Sequence, residues 1–180
     1  MENNNKTKVI TGKVRFSYAN VWEPKSINGG DEKYSVSLII PKSDIKTLNE
    51  IKAATEAAKQ EGKAKLGGKI PANLKLPLRD GDIDRPDDEA YRNSYFINAN
   101  SKDRPQIVDK NIKPILDQSE VYSGCYGRAS IILFAFNTNG NKGIACGLGN
   151  LQKLSDGEPL SGRSRAEDEF SSFEDEDFLS

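Results

Sequence analysis

One hundred and eighty residues allow one domain with a substantial core plus tails, and a hydrophobic share of 36% fits a compact body with disordered ends. Histidine is absent and cysteine occurs only at Cys125 and Cys146, which removes serine–histidine and cysteine–histidine nucleophiles and nearly excludes a structural zinc site. The net charge of −1 hides a division: the last fifteen residues hold seven carboxylates and no base, so residues 1–165 carry 26 Lys+Arg against 20 Asp+Glu, a net of +6.

No apolar run approaches the length needed to cross a bilayer, and Met1–Lys6 lacks the hydrophobic region of a secretory signal. A cytosolic protein without membrane contact is expected, with both thiols reduced in the core. Residues 1–6 are expected to be a disordered start, 7–154 the ordered domain, and 155–180 a flexible linker and acidic tail.

The first strand-like run spans Thr7 to Tyr18, where Val14, Phe16 and Tyr18 alternate with Lys13, Arg15 and Ser17; Trp22-Glu23-Pro24 should end it. After the turn signal Asn28-Gly29-Gly30-Asp31, a second strand over Lys33–Ile40 puts Tyr34, Val36, Leu38 and Ile40 on one face. Ser43 or Asp44 can cap a helix reaching about Glu61, with Gly62 at its end and Ile45, Leu48, Ile51, Thr55 and Ala58 on one stripe. Residues 62–93, rich in Gly, Pro, Lys and Asp, predict a long excursion with little regular structure. Short strands are expected at Ser94–Ala99 and Gln106–Val108. The strongest strand, Cys125–Phe136, pairs as a hairpin with Lys142–Leu148 extending toward Leu154. About five strands with one inserted helix define a mainly β chain. Periodicity alone does not choose between a small barrel and a sandwich.

The strand Cys125–Phe136 has two faces. Cys125, Gly127, Ala129, Ile131, Leu133 and Ala135 suit a tight interior, while Tyr126, Arg128 and Ser130 share the other face with Ile132, Phe134 and Phe136. That second face reads either as a partly solvated sheet, covered at its far end by the helix or by a second copy in a homodimer, or as a stacking platform. Tyr126 beside Arg128 offers a base a π face and a phosphate a counter-charge. Lys13 and Arg15 share a face near Tyr18 and Trp22, although Phe16 and Trp22 fit the core as well. Around Tyr91–Phe96, aromatics interleave with Arg92, and Lys102 and Arg104 follow; alternation lets only one of Tyr95 and Phe96 face outward.

The carboxylates Asp80, Asp82, Asp84, Asp87 and Asp88 suggest metal binding, but an EF-hand would want Gly where Arg85 stands and Glu where Tyr91 stands. A solvated turn is the better reading. A metal-dependent nuclease is the enzyme alternative, and a scaffold that binds no nucleic acid is the other. No catalytic residue, metal ligand or cofactor motif is otherwise indicated. The tail ends in Phe173, Glu174, Asp175, Glu176, Asp177, Phe178 and Leu179, an acidic, aromatic-tipped segment suited to competing with a polyanion and docking on a partner. A mere gain in solubility is the plainer account of it.

Four segments, Ser37-Leu38-Ile39-Ile40-Pro41-Lys42, Pro77-Leu78-Arg79-Asp80-Gly81-Asp82, Tyr95-Phe96-Ile97-Asn98-Ala99-Asn100-Ser101 and Tyr122-Ser123-Gly124-Cys125-Tyr126-Gly127-Arg128-Ala129-Ser130, occur in the order found in a family of bacteriophage single-stranded-DNA-binding proteins. The chain resembles that family from about Thr7 to Leu154. The resemblance implies an OB-fold barrel with insertions and long loops, single-stranded DNA as ligand, and a role in phage DNA replication or recombination in the bacterial host cell. Replication or recombination proteins are then the expected partners of the tail. Which side chains touch DNA is inferred from alternation and charge: Lys13, Arg15, Tyr18, Trp22, Arg92, Tyr95, Lys102, Arg104, Tyr126 and Arg128.

Overall fold

The structure, a computed structural model, describes residues 6–26 and 29–160. Short β1 (Lys8–Ile10) precedes β2 (Val14–Ser26), β3 (Glu32–Pro41) and α1 (Ile45–Glu61). Then come β4 (Leu78–Asp80), the single turn α2 (Gly81–Asp84), β5 (Ser94–Ser101), β6 (Ile107–Val108), β7 (Tyr126–Thr138) and β8 (Asn141–Ser155). Five strands form a partial ring. β2 pairs antiparallel with β3, β3 with β5, β7 with β8 and β2 with β7. The parallel contact Asn100↔Gly147 joins β5 to β8 and is the ring's thinnest seam. This ring is the OB-type barrel, so the barrel is chosen over the sandwich.

Alternation builds the interior. Val14 and Phe16 from β2, Val36, Leu38 and Ile40 from β3, and Ala129, Ile131 and Leu133 from β7 are all buried in one cluster. α1 adds Leu48, Ile51, Ala54 and Ala58 to that cluster. Asp44 starts the helix by accepting the Thr47 amide at 3.2 Å, and Gly62 ends it. Ile45 leaves the expected stripe and is 60% exposed, because the buried arc runs through Thr47 and Ala54 and turns it away. Both cysteines are buried and unpaired, and burial raises both thiol pKa values.

Three segments differ from expectation for local reasons. The first run breaks into β1 and β2 at Thr11–Lys13, where the Gly12 amide leaves the sheet to donate to Thr47 Oγ1 on α1 at 2.9 Å. β2 continues past Pro24 because that residue falls inside a register shift between Asn20 and Lys25, where its missing N–H breaks no ladder bond. The excursion after Gly62 holds more structure than its composition predicts. Asp80 caps α2 by accepting the Asp82 amide, and Asp88 caps a 3-10 turn, Glu89–Tyr91, by accepting the Ala90 amide. The segment from Ser155 to Leu160, expected as linker, lies on the body: Leu160 donates its amide to the Ser123 carbonyl at 2.8 Å.

Candidate nucleic-acid interface

The outer side of β2, β3 and β5 assembles the site, and register dictates what it displays. Arg15 lies opposite Tyr126 on one side and Ile39 on the other, and Ile39 lies opposite Phe96. The next row is polar, with Ser17 beside Ser37 and Ser37 beside Asn98. Side chains in such rows share a face because the pleat repeats every two residues.

Four of the expected residues meet at one end of this face. The Lys13 ammonium stands 5.2 Å and the Arg15 guanidinium 5.3 Å from the centre of the half-buried Tyr126 ring. Arg128 lies on the same face of β7 and donates Nε to the Thr11 carbonyl at 2.9 Å. Beside the ring is a hollow of about 150 Å³ lined by Lys13, Arg15, Ile39, Pro41 and Tyr126, among others. Further along β2 a cleft of about 480 Å³ includes Ser17, Tyr18, Asn20 and Lys25, and a third of about 260 Å³ includes Lys25, Lys33 and Asn100. Lys25 lines both of these hollows.

Arg15 is also held by backbone. It donates Nε to Gly124 O at 3.0 Å and Nη2 to Glu158 O at 2.7 Å. Tyr18 is 57% exposed and has φ +46°, at a register shift in β2.

The remaining expected residues sit elsewhere. Tyr95 packs against the main core, with Lys42 at 5.3 Å and Lys52 at 6.0 Å from its ring, so it does not share the face of Tyr126. Phe96 takes the outward position of that pair but is buried against Tyr91. Trp22 lies partly buried against the core, donates Nε1 to Val121 O at 3.1 Å and carries Arg104 at 5.7 Å above its ring. Arg92 is exposed and pairs loosely with Glu89 at 3.8 Å, and Lys102 is exposed. Residues 173–179 of the tail lie outside the described residues.

Sequence reasoning misses Arg85, Lys25 and Lys33. Arg85 stands among aspartates ahead of a proline, a context that signals only a turn; its aromatic partners Tyr18, Tyr91 and Phe96 come from three separate segments. Lys25 and Lys33 lie on opposite sides of a turn, and only the register Lys25↔Lys33 brings the two charges together.

The acidic loop is structural. Lys42 bonds both Asp80 and Asp82, at 3.0 and 2.8 Å, and Asp82 also accepts the Asn93 amide. Those hydrogen bonds, first to Asp82 and then to Asp80, push the Lys42 pKa up to about 12, and the same ammonium and amide hold Asp82 below the usual carboxylate range. Asp84 pairs with Arg79 at 2.7 Å. Among the described residues, no three His, Cys, Asp or Glu side chains are grouped to hold a metal ion.

A five-stranded barrel with two cations close by an aromatic ring on its outer face belongs among the nucleic-acid-binding OB proteins in architecture. The chain belongs to the family of the Enterobacter phage Enc34 ssDNA-binding protein, whose family profile matches residues 7–179. That family consists of DNA-binding proteins and not enzymes, so the nuclease reading of the Asp80–Asp88 carboxylates is withdrawn. The chain is 30% identical to protein p50 of Acyrthosiphon pisum secondary endosymbiont phage 1, over 96% of this chain and 98% of that one. It superposes on the single-stranded DNA-binding protein of bacteriophage Enc34, solved in complex with ssDNA, with a TM-score of 0.78 and 25% identity, covering 89% of this chain and 96% of that one. Gp2.5 of bacteriophage T7, a single-stranded DNA binding protein, shares the fold at a TM-score of 0.61 and 15% identity, over 89% of this chain and 91% of that one. No helix among the described residues is long and apolar enough to cross a membrane.

Proposed function

We propose that this protein binds single-stranded DNA along the outer track of β2, with little regard to sequence, during phage DNA replication or recombination in the host cytoplasm. The observation that carries this reading is the Tyr126 ring with the Lys13 and Arg15 cations close by it on the outer face of an OB barrel. A base stacks on the ring, contributing on the order of 1–3 kcal/mol for any sequence, because every base has a π face. Lys13, Arg15 and Arg128 neutralise the adjoining phosphates. Lys25 and Lys33, paired directly across β2 and β3 in a hollow that Asp31 also lines, offer a further phosphate position along the track. The Enc34 homologue, solved with ssDNA, supports the choice of ligand.

The tail is assigned two tasks: its seven carboxylates compete with DNA for the cationic track, and its phenylalanines dock on replication or recombination proteins once displaced. Support comes from Leu160. This last described residue packs on the cluster of Ile39, Tyr91 and Phe96.

The test is an anisotropy titration of labelled single- and double-stranded oligonucleotides, with and without magnesium, over a range of salt. Preference for single strands is expected, without cleavage, and with a log–log salt slope of about −0.7 per phosphate neutralised. An affinity indifferent to salt, or a preference for duplex, would overturn the reading.

A further inference from the structure

Two energetic penalties coincide at one place on the outer face. Tyr18 holds φ +46° in the left-handed region, which disfavours any residue with a Cβ, and it exposes 57% of its surface. Beneath it lies Arg85, whose guanidinium centre stands 5.2 Å from the Tyr18 ring, 5.0 Å from Tyr91 and 5.2 Å from Phe96. The Nε of Arg85 is buried without a hydrogen-bond partner. A strained backbone and an orphaned donor each lower stability, and neither contributes to the barrel core. Such features persist where a surface has a task to perform.

The geometry says what the task is. Tyr91 and Phe96 meet edge to face at 5.0 Å, and both are buried, so the rings behind Arg85 are fixed. The caged cation in turn holds one side of the Tyr18 ring and leaves the rest of the ring to solvent. The cleft beside it is lined by Tyr18, Asn20, Lys25, Asp88, Ser123 and Leu160, among others. The Asp88 carboxylate repels phosphate, so a nucleotide entering here turns its base inward and its phosphate out toward Lys25.

We propose that Tyr18 is a second base-stacking station on the track, with Arg85 as the positioning residue that props its ring. The ligand is a nucleobase of single-stranded DNA, taken next along β2 from the base on Tyr126. This rests on the single-stranded DNA reading above.

The test compares the full-length protein with Tyr18→Gly and Arg85→Met on two labelled oligonucleotides of about 16 nucleotides, one thymidine-only and one wholly abasic. Tyr18→Gly lowers affinity for the thymidine strand by about 5- to 100-fold, leaves affinity for the abasic strand unchanged, and keeps or raises Tm because glycine relieves the left-handed strain. Arg85→Met keeps an apolar stem among the rings and removes the orphaned donor. It lowers affinity for the thymidine strand while the salt slope stays the same, as befits a prop for the ring and not a phosphate contact. If Tyr18→Gly loses several degrees of Tm and binds the thymidine strand as the parent does, the ring is structural and the station is refuted. A slope reduced by about 0.7 in Arg85→Met overturns the role given to Arg85. Failure of the parent protein to bind either strand refutes the underlying DNA reading instead.

Discussion

Arg15 ties the charge of the track to the folding of the chain that crosses it. Its guanidinium donates to Gly124 O and Glu158 O, two carbonyls that no lysine could reach together with the same planar fork. Arg15→Lys therefore keeps the charge and loses the bridge. It should leave the salt slope of DNA binding unchanged while destabilising the fold by about 1 kcal/mol, read as a lower midpoint in urea. An unchanged midpoint would mean that the bridge adds nothing. Tyr126→Ala has a different profile: affinity falls by the stacking contribution of about 1–3 kcal/mol, on top of the stability lost with a half-buried ring. Both residues are legible in the sequence, since Arg15 and Tyr126 alternate with core residues on strands of clear period two. Arg85 is not legible. Its role depends on three rings brought together by tertiary structure, and nothing local to an Asp-rich turn encodes them.

At the scale of elements, two contacts decide how the insertions sit on the barrel. Gly62 ends α1 at φ −97°, a conformation any residue adopts, so glycine is not needed for the backbone. It is needed for space, because a Cβ there would lie 2.3 Å from the Ala135 Cβ on β7. Gly62→Ala should destabilise by about 1–3 kcal/mol through overpacking, and Ala135→Gly added to it should recover part of that loss. The second contact is the Lys42–Asp80–Asp82 clamp, which fixes α2 to the end of β3. Asp82 has a lowered pKa, so its stabilising effect is complete above the ordinary value of 3.8 and is lost as pH falls through the depressed one. Lys42 works in the other direction, with its share intact below 10.5 and lost as pH rises through about 12. The Tm difference between the parent and Asp82→Asn should be constant from about pH 5 to 9 and shrink below about pH 4. A difference that persists into acid would assign the effect to packing. Helix and hairpin are readable in the sequence because caps and periodicity are local signals; α1 begins after Asp44, one of the two caps weighed, and stops at Gly62 as expected. Ring closure is not readable, because the seam between β5 and β8 is a single parallel pair between Asn100 and Gly147, distant in the chain and unmarked by any pattern.

For the whole molecule, what matters is where charge lies and at what pH it changes. The body carries +6 and the last fifteen residues hold seven carboxylates, so the competition proposed for the tail is intramolecular and should weaken with salt. Truncation after Arg165 should tighten single-stranded DNA binding by roughly tenfold at low ionic strength, with the gain fading as the screening length shortens toward about 3 Å near 1 M salt. The absence of histidine adds a sharper test. No ordinary side-chain group of the body changes charge between about pH 6 and 9 apart from thiols, and both thiols are buried with raised pKa values. At fixed ionic strength, affinity should therefore change across that range only through the single charge of the α-amino group, and equally for the parent and the truncated protein. Below about pH 4.5 the tail carboxylates take up protons while DNA phosphates stay ionised, so the competitor is neutralised and its target is not. The parent curve should then rise toward the truncated one as pH falls, until the fold itself is lost. Two curves that remain parallel down to the unfolding pH would show that the tail's effect is not carried by its charge, and the electrostatic competition assigned to it would be wrong.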